Sequence, residues 1–272
     1  MNKILCVLLM FLLMCGGADA DVKVGFLEKL NTTEEEYRDL LIEDRKHIGW
    51  NLLSDSHEGD ENFIFFNSLL EMQMALIRGD IDEVALPKAV AEYMLNTSSE
   101  LAVSSIERIR TVSFALGFDM DNAALRDRFN SVLRDMKSDG TLSALQIKYL
   151  QNPGTKEWGP VTTDYFEGAE TLIVAVTGDL PPIDFVAEDG RPLGFNAAVL
   201  ADIGRRLRMN IELLDIDAGA RQAALVSGRA DVVFWYLVVR DVEEQVDVPD
   251  NVLLSEPYYD WDKFMYIRKK EK

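Results

Sequence analysis

The residues able to do chemistry in this chain are few and scattered. It has two histidines, His47 and His57. No serine, threonine or cysteine stands with a histidine in a pattern that would activate a nucleophile. His57 lies among carboxylates in "LSDSHEGDENF", but the spacing fits no zinc or calcium loop. A solvated loop is the expectation there, and no metal or cofactor is implied. Binding chemistry is better represented. The run Phe234-Trp235-Tyr236 sits on a strand, so its side chains alternate faces. All three can be core, or Trp235 or Tyr236 can line a cleft and stack on a ligand. Asn31, Thr32 and Thr33 stand at a helix start, where N–H groups and hydroxyls can receive an anionic or oxygen-rich group. An ordinary N-cap explains them equally well. Asp179 and Leu180 open "GDLPPIDFVAEDGRPLGFN", a polar turn followed by a strand, a turn at Asp189-Gly190 and a helix.

Composition bounds what such residues can serve. The chain has 272 residues, 47 acidic against 28 basic, and a formal net charge of −19. That surface repels nucleic acid and anionic membrane, so neither is an expected partner. With 48% hydrophobic residues, a soluble protein with a substantial core is expected. The first twenty residues, "MNKILCVLLMFLLMCGGADA", read as a secretory signal peptide ending in Ala18-Asp19-Ala20. Its apolar run is too short to span a bilayer. Cys15 offers an alternative lipid anchor, although Met14 sits where a small residue is expected. Both cysteines, Cys6 and Cys15, fall in this segment, so the mature chain has no disulfide.

The elements that must position the candidates follow from pattern. Val22–Leu27 reads as a strand, followed by a helix whose face begins at Leu40 and Leu41. A helix carrying Leu69, Met72 and Leu76 ends at Gly79. The strand "DIDEVAL" follows, and a second helix starts after Pro87. Thr111–Phe118 is strand-like. In "DNAALRDRFNSVLRDMKSDG", Leu125, Phe129, Val132, Leu133 and Met136 form one helical stripe. Another helix begins at Thr141. Residues 151–170 carry prolines and glycines without periodicity and read as a linker. Beyond it, "TLIVAV" and "NIELLDI" flank a helix within Phe195–Leu207. The pattern Ala75-Leu76-x-x-Gly79-x-x-Asp82 recurs as Ala224-Leu225-x-x-Gly228-x-x-Asp231, each before a strand. Two copies suggest two similar α/β lobes. Phe264–Ile267 is a last strand.

These pieces resemble the family-3 extracellular solute-binding proteins, the receptors of amino-acid-type ABC importers. "VAVTGDLPPIDFVAEDGRPLGFNAAVLADI" resembles the family's start, and "ALVSGRADVVF" its first-lobe helix and strand. "LLSEPYYDWDKFMYIRK" resembles the following hinge strand. "VKVGFLEKLNTTEEEY" and "ALIRGDIDEVALPKAVAEYML" resemble the second lobe, and "VSFALGFDMDNAALRDRFNSVLRDMKSDGTLSALQIKYL" the return strand and C-terminal helices. The set covers nearly all of Val22 to Lys269, but its second half precedes its first. The resemblance therefore implies a type II periplasmic-binding-protein-like α/β fold in circularly permuted order, with two lobes joined by two hinge strands. Expected boundaries are a signal peptide at 1–20, the second lobe at 22–110, the return strand and C-terminal helices at 111–150, the linker at 151–170, the first lobe at 171–262 and the other hinge strand at 263–272.

The implied function is capture of a small polar or amino-acid-like solute between the lobes, for an ABC importer permease. The expected protein is a periplasmic or extracellular monomer. Counting by the family's spacing, the carboxylate-binding arginine falls on Glu243, with Arg240 three residues early. The ammonium-binding aspartate falls on Pro87. Ligand-binding candidates are thus Asp179, Leu180, Phe234, Trp235, Tyr236, Arg240, Asn31, Thr32, Thr33 and Pro87. Two alternatives remain open at this point. One is a sensor module without transport. The other is an enzyme resembling cyclohexadienyl dehydratases, with Glu243 or Asp179 as acid or base.

Overall fold

The short apolar runs become the strands of one shared sheet. The structure is a computed structural model describing residues 22–27, 33–35, 38–39, 41–42, 62–151, 153, 158–187, 190–240, 245 and 247–271. Residues 1–20, where a signal peptide is expected, and His47, His57, Asn31, Thr32 and Glu243 lie outside the described residues. Strand β1 (Lys23–Leu27) runs parallel to β2 (Asn62–Phe66) and to β3 (Glu83–Pro87). Between them, helix α1 (Leu69–Arg78) is capped at its start by Ser68, whose hydroxyl accepts from the Glu71 N–H. It ends at Gly79, where φ is 85° and the N–H reaches back to the Ala75 and Leu76 carbonyls. Helix α2 (Lys88–Thr97) follows β3 directly, with Pro87 at its N-cap.

Two long strands knit the chain together. Strand β4 (Leu101–Asp119) has 19 residues and begins ten residues before the expected Thr111. Strand β12 (Tyr259–Lys269) also starts earlier than its apolar core suggests. They lie antiparallel side by side, from Tyr259 opposite Phe114 to Lys269 opposite Leu101. The far part of β12 also pairs with β3. The far part of β4 pairs with β10 (Val232–Val239) and β11 (Val252–Leu254). Strand β10 is parallel to β5 (Thr171–Val176), which is parallel to β9 (Asn210–Asp215). The full order is β2-β1-β3-β12-β4-β10-β5-β9, with a separate small sheet of β6 (Asp179–Leu180), β7 (Asp184–Val186) and β8 (Pro192–Leu193).

Helices α3 (Ala123–Ser138), α4 (Thr141–Leu150) and α5 (Gly194–Leu207) pack on one another. The stripe Leu125, Phe129, Val132, Leu133 and Met136 is buried as the spacing requires. Helix α6 (Arg221–Val226) belongs to a smaller apolar cluster with Val233, Tyr236 and Val252. The later part of the 151–170 segment is pinned to β8 and β9. The Val161 N–H donates to the Pro192 carbonyl, and the Phe166 N–H to Asn210 Oδ1.

Candidate functional site

Register alone locates a meeting place. Strand β3 runs in the same sense as β4 and ends at Pro87, level with Phe264 and hence with Glu107. Strands β5 and β10 run in the opposite sense, and β5 stops one residue past the Ala175–Val233 pair. Two sets of parallel strands therefore point their carboxyl ends at each other across residues 108–115 of β4 and the start of β12. Carboxyl ends of strands are where open α/β sheets place ligands.

This stretch carries aromatic rings beside charged residues, Arg108 from β4 and Asp260, Asp262 and Lys263 from β12. The Phe114 ring lies 4.7 Å from Trp235, 5.0 Å from Trp261 and 5.8 Å from Tyr259. Tyr259 in turn meets Phe195 at 5.6 Å, edge to face. Burial, with Glu92 and Asp260 nearby, pushes the Tyr259 hydroxyl up to about 12. From the other side, Tyr93 of α2 approaches Phe185 of β7 at 6.3 Å.

Trp235 has an unusual backbone. Its φ is 52°, a left-handed conformation that a bulky residue rarely adopts. The ladder between β10 and β4 slips at this point, between Val233 and Tyr236. The slip interrupts the simple alternation of faces along the aromatic run. Its indole is 2% exposed and its N–H donates to Asp184 Oδ2 at 3.3 Å. The same carboxylate oxygen accepts from the Thr177 N–H at 3.3 Å and the Thr177 hydroxyl at 3.2 Å. Burial pushes the Asp184 carboxyl up to about 6, although these bonds and one from the Gly178 backbone pull the other way.

Behind the indole lies a buried ion pair. Arg221 is 1% exposed and its guanidinium carbon sits 5.2 Å from the Trp235 ring and 5.0 Å from the Tyr236 ring. It donates to the Trp235 carbonyl at 2.8 Å and to Asp247 Oδ1 at 2.7 Å. The other Asp247 oxygen accepts the Leu237 N–H at 2.7 Å. The bulged strand is thus held from beneath by a charged clamp and from the side by Asp184.

The sequence candidates fall in different places. Asp179 and Leu180 form β6, paired with Phe185 and Asp184, so they share the Asp184 neighbourhood with Trp235. Phe234 is fully buried, edge-on to Tyr258 at 5.2 Å. Tyr236 is fully buried in the α6-side cluster, over Gly117, and its hydroxyl has no partner among the described residues. Pro87 is buried opposite Phe264. Arg240 is half-exposed, with Nη2 3.3 Å from Asp260 Oδ2. Thr33 is exposed, just before the helical residues 34–35. Sequence reasoning passed over Asp184, Arg221 and Asp247. The one available signal was type and setting: a lone acid within "PPIDF" and a lone arginine within "GARQAAL".

Residues 172–272 match the family model of the bacterial extracellular solute-binding proteins, family 3. No protein of curated function matches the chain. Among solved structures, similar chains include the ligand-binding component of an ABC-type import system from Staphylococcus aureus with zinc bound, at TM-score 0.45 and 9% identity. That alignment covers 91% of this chain and 65% of the other. The alkanesulfonate-binding protein SsuA from Xanthomonas axonopodis pv. citri, bound to MOPS, matches at TM-score 0.43 and 8% identity, over 92% and 65%. The methionine-binding protein MetQ matches at 0.41 and 12%, over 92% and 83%. The chain thus spans slightly less than two thirds of the length of the first two. Among the described residues, no helix is long and apolar enough to cross a membrane, and no cluster of three or more metal-ligating side chains occurs.

Proposed function

We propose that this protein captures a small solute outside the cytoplasm and presents it to an ABC importer permease, acting as a monomer. The observation that carries the reading is the shared sheet. Two parallel groups, β2-β1-β3 and β10-β5-β9, are bridged by β4 and β12 and direct their carboxyl ends toward each other. Two adjacent bridging strands suit a hinge, and rotation about them would open and close the space between the groups. The family match over residues 172–272 supports the same reading.

On this reading the chain order is circularly permuted. Residues 22–110 form the second lobe, 171–262 the first, and 111–150 the return strand and its helices, with 151–170 joining the old end to the old start. The solute lies between the neighbourhood of Asp179, Leu180 and Trp235 on one side and that of Pro87 and Thr33 on the other. Aromatic faces, in place of the two anchors that the family resemblance implies, then select it, which favours a solute with an apolar or planar part. Loss of the transport partner would leave a sensor built on the same capture step.

The test is recovery of the solute. Protein purified from its native host is denatured, and the released small molecules are identified by mass spectrometry. The refolded protein should rebind the solute one to one and become more compact in small-angle scattering. A stripped protein that rebinds nothing from its host's extract, with unchanged scattering, counts against solute capture.

A further inference from the structure

A cavity of 420 Å³ opens beside the start of β12, between α3, α4 and the end of β10. Its volume is at the lower end of the range for small-molecule pockets. Two cations face it, Lys137 from α3 and Arg240 after β10. Each meets its nearest acid loosely. Lys137 Nζ is 3.9 Å from Glu256 Oε2, while Glu256 Oε1 is held by Arg134 at 2.6 Å. Arg240 reaches Asp260 Oδ2 at 3.3 Å, and the other Asp260 oxygen accepts from Ser113 at 2.6 Å. Both acids are thus shared with stronger donors. Both cations line one cavity on a chain whose net charge is −19.

The remaining lining supplies a body-binding surface. Leu142 is 4% exposed, and Pro257 and Tyr259 complete an apolar wall. The Ser143 hydroxyl and the Gln146 amide add neutral hydrogen-bonding groups. Counting Lys137, Arg240 and the neighbouring Arg134 against Asp260 and Glu256 leaves one positive charge at the cavity, so a single negative charge on a ligand balances it. We propose that this cavity binds a small organic monoanion, with its carboxylate between Lys137 and Arg240 and an apolar or aromatic body against Leu142, Pro257 and Tyr259. Thr177, Asp179, Asp184 and Trp235 take no part in it, while Tyr259 and Asp260 at the start of β12, and Arg240, are common to it and to the solute-capture reading.

Calorimetric titration with benzoate tests it, with inorganic phosphate and benzylamine as comparators. Benzoate should saturate one site and bind ahead of both. Lys137→Gln and Arg240→Gln should each weaken benzoate by about tenfold or more, the size expected for one charge-assisted hydrogen bond. Both side chains are about half exposed, at 43% and 55%, so both variants should fold, which their circular dichroism and melting curves report. Trp261→Leu separates this cavity from the space between the strand groups. Three results overturn the proposal: no saturable benzoate binding, unchanged affinity in either charge variant, or affinity lost only in Trp261→Leu. Phosphate binding ahead of benzoate overturns it as well. None of these results bears on recovery of a native solute.

Discussion

The indole N–H of Trp235 donates to Asp184 Oδ2 at 3.3 Å, tying the bulge of β10 to β7. The acceptor is a carboxyl that is only 4% exposed and also receives the Thr177 hydroxyl and N–H. Its burial makes it a titrating group near neutral pH.

The first prediction concerns that titration. The Asp184 carboxyl is raised from 3.8 to about 6 in the folded protein. Between those values the folded state holds a proton that the unfolded state has lost. Its contribution is therefore fully present below pH 3.8 and is lost as pH rises through about 6. Two pH units correspond to about 3 kcal/mol. Asp184→Asn removes the titration. The stability of the natural protein relative to this variant should fall by about that much from pH 4 to pH 7. Urea unfolding at four pH values reads it, and parallel curves for the two proteins would show that Asp184 does not titrate here.

The buried clamp gives a second prediction. Asp247→Ala leaves the Arg221 guanidinium, 1% exposed, without its carboxylate. Breaking such a pair from one side costs about 3–5 kcal/mol. Replacing both partners, Arg221→Met with Asp247→Leu, should recover a large part of that loss, because no uncompensated charge remains. Thermal melts of the two variants decide it. A double variant no more stable than Asp247→Ala would mean that the hydrogen bonds to Leu237 and Trp235, not the charge, carry the effect.

A third prediction tests the packing of the strand crossing. A Cβ placed on Gly117 would stand 2.1 Å from Tyr236 Cε2. Gly117→Ala should therefore destabilise by about 1–3 kcal/mol, the usual size of core overpacking. Adding Tyr236→Leu should relieve the clash and restore part of the loss. If Gly117→Ala alone is neutral in chemical denaturation, the Tyr236 ring does not lie over β4 as described.

Some of this was legible in the residues alone and some was not. The α3 stripe from Leu125 to Met136 follows directly from helical spacing. The family match covers 172–272, the segment where "TGDLPPIDF" and "SEPYYD" were recognisable. The length of β4 was not legible. Its first ten residues, "LAVSSIERIR", mix serines and charges, because much of that stretch is exposed beside β12. The aromatic run at 234–236 left core and cleft open, since a bulge breaks the alternation that would assign faces. Arg221 and Asp247 are 26 residues apart and meet only through tertiary packing, which local spacing cannot encode.

The last prediction concerns ordinary amino acids. The resemblance implies an arginine and an aspartate that hold an amino-acid ligand's carboxylate and ammonium. Counting by the spacing that the resemblance implies, these positions fall on Glu243 and Pro87, and Arg240 meets Asp260 instead. Two missing charge-assisted contacts remove roughly 3–6 kcal/mol of binding free energy. Stacking on the partly buried Trp261 returns about 0.5–1.5 kcal/mol beyond area burial. The balance leaves standard amino acids weaker by about one to four powers of ten than a receptor with both anchors. Calorimetric titration with the twenty amino acids should therefore give weak binding or none. Sub-micromolar binding of any of them, retained in Arg240→Ala and Trp261→Ala, would mean that anchors exist elsewhere and that aromatic selection is the wrong account of this site.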